Sequence, residues 1–172
     1  MRVLGVDPGM ADTGWALLEG ERGGAPSLRA SGLIRTPASA ALTSRLRTIH
    51  QDLLEVLRIG RPEVVAIEEM FFVKAASSVR ATLQARGVIL LAAELYGAPV
   101  REYNPRQVKS ALTGSGSAEK AQMQRMVSSA LRLDAVLRPD DVADAAAIAL
   151  CHLRSARMQG MRVLDRIGGG RK

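Results

Sequence analysis

Val3-Leu4-Gly5-Val6-Asp7-Pro8-Gly9 is an apolar run closed by an acid and then by a Pro-Gly pair. Branched apolar residues stopped by Pro-Gly read as a buried strand that ends in a turn. A carboxylate at the end of such a strand faces the crevice where open α/β sheets place their ligands. The arrangement recurs at Val64-Val65-Ala66-Ile67, a second buried run, which ends in Glu68-Glu69. Downstream, Asp140-Asp141-Val142-Ala143-Asp144 opens an alanine-rich helical stretch. Asp141 and Asp144 are three residues apart and share a helix face, as do Asp140 and Asp144, four apart. Acids from three distant segments can therefore meet in one crevice. Such a cluster repels itself unless a divalent cation neutralises it, and hard oxygen ligands suit Mg²⁺ or Mn²⁺.

Each piece has an ordinary reading too. Asp before Pro-Gly is a common turn former. Asp140 and Asp141 follow Pro139, and acids in a first helical turn complement the helix dipole. Asp144 resists this reading, because it sits within Val142–Leu150, where a solvated face is hardly visible. Glu68 and Glu69 resist it as well, since solvated acids seldom continue a buried strand. Successive strand side chains face opposite ways, so only one of these two can meet Asp7.

The 172 residues fit one domain, and 47% hydrophobic content supports a sizeable core. A net charge of +7 around an acidic site suggests a polyanionic partner, with nucleic acid the natural candidate. Cys151 is the only cysteine, so no intrachain disulfide can form and a reducing cytosol is expected. Cys151-His152 reads as a core residue beside a surface one rather than a metal pair. The first apolar run is too short for a signal peptide. Arg86, Gly87 and Glu94 argue against a membrane span over residues 81–100.

Strands are expected at residues 2–7, 13–18, 27–34, 63–68 and 99–103, the first three as antiparallel neighbours. Helices are expected at 44–59, 77–95, 105–112, 117–131 and 139–157, with Ser77 and Ser117 as caps. Residues 1–157 then form one α/β domain with a five-stranded mixed sheet flanked by helices, and the basic, glycine-rich 158–172 a disordered tail.

Gly5-Val6-Asp7-Pro8-Gly9 with Thr13-Gly14, then Ala66-Ile67-Glu68-Glu69-Met70-Phe71, resembles the RuvC family of Holliday-junction resolvases. Arg106-Gln107-Val108-Lys109, Gly116-Ser117-Ala118-Glu119-Lys120 and Asp141-Val142-Ala143-Asp144-Ala145 continue the resemblance in the same order, across nearly the whole chain. It implies a ribonuclease-H-like fold, a cytoplasmic homodimer, and paired metal-dependent nicks on opposed strands of a four-way DNA junction. It also implies partnership with the RuvA-RuvB branch-migration complex. By the same resemblance Asp7, Glu68, Asp141 and Asp144 are the catalytic, metal-binding carboxylates. The family usually has an uncharged residue where Glu69 and Asp140 stand, which makes these two peripheral. Two divalent ions about 4 Å apart can orient a water and stabilise the leaving 3′ oxygen.

Lysine usage supports the DNA contacts. Arg is the default cation, and Lys74, Lys109 and Lys120 are the only internal lysines. A compact ammonium suits a scissile phosphate as a point charge. Phe71 and Phe72 are the only phenylalanines, and the family carries a base-stacking aromatic at the position of Phe71. Three rivals stand against this reading. A sugar-kinase or actin-like ATPase needs a second domain, for which there is no room. A binding-only junction module would lack a carboxylate, and none is missing. A related ribonuclease-H-like nuclease acting on other nucleic acids differs only through the family match. The helix at 77–95, with Val79, Leu83, Leu90 and Leu91, is the expected dimer face.

Overall fold

In a computed structural model, residues 1–20, 24–70 and 77–168 are described, with side chains except at 77, 78 and from 157 onward. The strands are β1 (Arg2–Asp7), β2 (Asp12–Glu19), β3 (Ser27–Arg35), β4 (Val64–Glu68) and β5 (Val100–Tyr103). They form one sheet in the order β3-β2-β1-β4-β5. The β1–β2 and β2–β3 pairs are antiparallel, whereas β1–β4 and β4–β5 are parallel. This is the expected mixed sheet, and its switch from antiparallel to parallel falls at β1.

Helices cover both faces: α1 (Leu42–Gly60), α2 (Ser77–Tyr96), α3 (Pro105–Thr113), α4 (Lys120–Leu131) and α5 (Asp140–Gly168). The pleat sorts β1 between two cores. Leu4 and Val6, with Leu17, Val65 and Ile67, pack against Ile49, Leu53 and Leu57 of α1 and Ala85, Ile89 and Ala92 of α2. Val3, with Ala16, Leu18 and Ala66, packs against α3, α4 and the Ala145–Cys151 segment of α5.

Local chemistry explains most boundaries. Asn104 accepts a 2.9 Å hydrogen bond from the Arg106 N–H, and Pro105 follows as the first helical residue of α3. Gly97 and Gly114 stop α2 and α3 with φ of +86° and +79°, which glycine adopts without penalty. Two boundaries differ from expectation. Ser117 does not cap α4: its hydroxyl meets that of Ser115 at 3.0 Å, and the helix starts three residues later, at Lys120. The last helix runs on to Gly168 rather than ending at 157, so much of the expected tail is helical, and residues 169–172 lie outside the described residues. Among the described residues, no helix is long and apolar enough to cross a membrane.

Candidate active site

Val3, Gly5 and Asp7 alternate onto the α5 side of the sheet, as do Ala66 and Glu68. Val6 is in register with Ile67 in the parallel pair, so Asp7 and Glu68 end neighbouring strands side by side. Asp7 is also paired with Gly14 across β2. Helix α5 lies directly on this row. A Cβ added at Gly5 would come within 2.0 Å of the Ala145 carbonyl oxygen, and one at Gly14 within 2.1 Å of that of Asp141. No side chain fits there. The two glycines thus form a seat on which the helix backbone rests, and that seat carries Asp141 and Asp144 to Asp7.

Asp7, Glu68 and Asp144 line one cleft of about 230 Å³, together with Lys109 and Lys120. Burial, then the like charges of Asp144, Glu68 and Asp141, push the Asp7 carboxyl up to about 7. Glu68 is raised by burial and Asp144, against the pull of Lys109. Asp144 is raised because burial outweighs its partner Lys120. The Lys120 ammonium bridges Asp140 Oδ2 at 3.2 Å and Asp144 Oδ2 at 3.3 Å. Burial pulls Lys120 down, yet the hydrogen bonds and charges of these carboxylates prevail and raise it. Asp140 moves the other way from its neighbours, held low chiefly by the Lys120 hydrogen bond.

Among the described residues, no three side chains of the His, Cys, Asp or Glu type already stand at ligating distance around one point. The acids are neighbours, and a lysine rests on one of them. Their chemistry nonetheless fits a hard divalent cation. The donors are all carboxylate oxygens, and Asp7 is driven toward protonation by burial and then by three acidic neighbours, whose repulsion a cation would relieve.

The expected residues fare differently. Asp7, Glu68, Asp144, Lys109 and Lys120 share the cleft, and Asp141 lies close enough to raise Asp7. Glu69 is absent from the cleft lining; its N–H donates to the Tyr103 carbonyl at 2.8 Å, extending the β4–β5 pairing. Phe71, Phe72 and Lys74 lie outside the described residues. Two groups went unread in the sequence and a third, His152, was expected at the surface. Gln124 and Arg138 hold Asp140, and His152 is buried rather than exposed, its Nδ1 2.5 Å from the Tyr103 hydroxyl. Tyr103 ends β5 in register with Glu68, so this buried pair ties α5 to the strand beside the cleft. A histidine eight residues beyond Asp144 on an apolar helix was the available signal. A larger cavity of about 610 Å³, lined by Trp15, Leu33 and Ile59, lies between the sheet and α1. The smaller cleft is the candidate site, because the converging carboxylates and lysines are there.

The family model described as crossover junction endodeoxyribonuclease RuvC matches residues 3–152. The protein of that name from Endomicrobium trichonymphae is 48% identical over 155 residues, 90% of this chain and 82% of its own. That from Caldanaerobacter subterraneus subsp. tengcongensis is 43% identical over 171 residues, 99% of this chain and 100% of its own. Thermus thermophilus RuvC in complex with Holliday junction substrate has a TM-score of 0.88 at 38% identity, over 92% of this chain and 96% of that one. The yeast mitochondrial Holliday junction resolvase Ydc2, at 14% identity and a TM-score of 0.72 over 96% of this chain and 85% of its own, shares the fold.

Proposed function

The chain belongs to the RuvC family of crossover junction endodeoxyribonucleases, and on that premise we propose that its carboxylate cleft cuts Holliday junctions on two opposed strands. It is a ribonuclease-H-like enzyme acting on DNA phosphodiester bonds. The observation that carries the site assignment is the convergence of Asp7, Glu68 and Asp144 with Lys109 and Lys120 in one cleft.

Nucleases of this family are metal-dependent. Asp7, Glu68, Asp141 and Asp144 are the residues that would hold the metal, Mg²⁺ or Mn²⁺, with two ions to a site as the proposed complement. When bound, the metal supplies Lewis acidity at the scissile phosphate and lowers the pKa of the attacking water. The carboxylates concentrate negative charge where the cation is wanted. Lys109, beside Glu68, and Lys120, beside Asp144, place positive charge against the phosphate oxygens, where charge develops in the transition state. The chain's net +7 favours association with the polyanionic junction backbone. Lys74 adds to these contacts, and Phe71, with Phe72 next to it, stacks on a base at the crossover.

A junction presents two-fold symmetric strands, so paired nicks require two copies of this one cleft. The homodimer uses α2, whose Leu91 and Leu95 are 52% and 64% exposed. Coupling to a RuvA-RuvB branch-migration complex follows the family, and a cytosolic setting fits the free, buried Cys151. The test is incubation of the protein with four-way and linear DNA, with and without Mg²⁺. Symmetric nicks confined to the junction and to metal-containing reactions are expected. Equal cutting of linear duplex would overturn the assignment.

A further inference from the structure

Asp140 is the acid at the cleft for which family resemblance supplies no task, yet it is the best-tethered of them. Its Oδ1 accepts from Gln124 Nε2 at 2.9 Å and from Arg138 Nη1 at 2.7 Å. Its other oxygen, Oδ2, is left to the Lys120 ammonium at 3.2 Å. Lys120 has one further carboxylate in reach, Asp144, at 3.3 Å. Lys120 is also the first residue of α4, where the helix dipole disfavours a cation. Something must keep it there.

The two acids holding Lys120 are not equivalent. Asp144 lines the cleft beside Asp7 and Glu68, where a bound cation would draw on its charge. Asp140 lies at the rim, with its orientation set by α4 through Gln124 and by Arg138. An ion pair this exposed contributes little to folding, since the Lys120 and Asp140 side chains are 55% and 42% accessible. What it governs is the place of the ammonium. A carboxylate already fixed by two donors can hold a flexible lysine without itself having to be ordered.

We propose that Asp140 is a positioning residue, which holds the Lys120 ammonium at the cleft mouth independently of Asp144 and keeps it there when Asp144 turns to a cation. Gln124 and Arg138 form the cradle that orients Asp140. This rests on the reading of Lys120 as a phosphate-facing group.

The chain has only four lysines, so the ammonium of Lys120 can be followed by side-chain nitrogen NMR. The wild type and Asp140→Asn are compared with and without Mg²⁺, alongside Asp140→Glu. Lys120 is expected to be ordered in the wild type under both conditions. In Asp140→Asn it becomes mobile once Mg²⁺ is present, and Asp140→Glu restores part of the order. Single-turnover cleavage by Asp140→Asn falls roughly tenfold, the range of one charge-assisted hydrogen bond, while junction affinity stays within about twofold. In a Lys120→Ala background the same substitution costs nothing further, because the group it acts through is gone. A Lys120 ammonium as ordered in Asp140→Asn as in the wild type, with Mg²⁺ bound, overturns the proposal. So does a full tenfold loss in the Lys120→Ala background. If Asp140→Asn frees the ammonium while Lys120→Ala itself cuts at the wild-type rate, the anchor stands and the phosphate-facing role of Lys120 falls.

Discussion

Asp7 is the residue on which the site's electrostatics turn. Its carboxyl rises from an ordinary 3.8 to about 7 on folding, from burial first and then from three acidic neighbours. Between those values the folded chain binds the proton that the unfolded chain has released. Metal-free stability therefore falls as pH rises from about 4 to about 7, and levels off above. Glu68 and Asp144, also raised, act with the same sign. Thermal melts across this range should show the fall, and Mg²⁺ should reverse it above pH 7, where Asp7 is ionised. Asp7→Asn should flatten the profile, abolish cleavage and leave junction binding intact, as no basic contact is lost. Cleavage near the wild-type rate would end the metal-site assignment. The lysines make a second test. Lys109→Ala and Lys120→Ala should lower single-turnover rates by about 10²-fold or more, with junction affinity nearly unchanged, because each acts where charge develops. Equal losses in both quantities would make them ordinary backbone contacts.

At the scale of elements, the seating of α5 on the sheet sets how near Asp141 and Asp144 come to Asp7. Gly5 and Gly14 bring strand and helix backbones into contact, and Ala145 and Ala149 keep the facing side of α5 low. Gly14→Ala would set a methyl 2.1 Å from the Asp141 carbonyl oxygen, so the helix must move away. A destabilisation of about 1–3 kcal/mol is expected from such overpacking, together with loss of cleavage as Asp141 leaves the Asp7 row. Denaturant unfolding and a nicking assay measure the two effects. Gly87→Ala is the control. Nothing lies within 4 Å of a Cβ at that position in α2, so stability should hold or rise. The Tyr103–His152 hydrogen bond secures the same helix against β5.

For the whole molecule, the question is how one cleft serves two strands. Leu91 and Leu95, one turn apart on α2, are both exposed and form the apolar surface on which the proposed dimer rests. Leu91→Glu with Leu95→Glu should give a monomer in light scattering at micromolar concentration. That monomer should still nick a junction, but the second nick should lose its coupling to the first. A wild-type chain that stays monomeric even on a junction would refute the dimer.

Much of this protein was legible along the chain. Apolar runs ending in Asp7 and Glu68 marked buried strands, because a sheet core demands continuous branched residues and only a strand end tolerates an acid. The alanine-rich stretch after Asp140 marked a buried helix for the same reason. Glycine and proline marked most helix ends through backbone geometry alone. The choice between Glu68 and Glu69 needed the pleat and the β1–β4 register, which put Glu68 on the α5 side. Ser117 read as a cap, but its hydroxyl is taken up with that of Ser115, and α4 starts after Glu119 with no side-chain cap. Asp140 and Asp141 were equivalent by helical spacing. Only the family resemblance separated them along the chain; in three dimensions Gly14 lies against the Asp141 backbone, whereas Gln124, Arg138 and Lys120 claim Asp140. Periodicity is a property of a segment and can be read from it. What each of two neighbouring acids touches depends on partners distant in sequence, and only the folded chain brings those together.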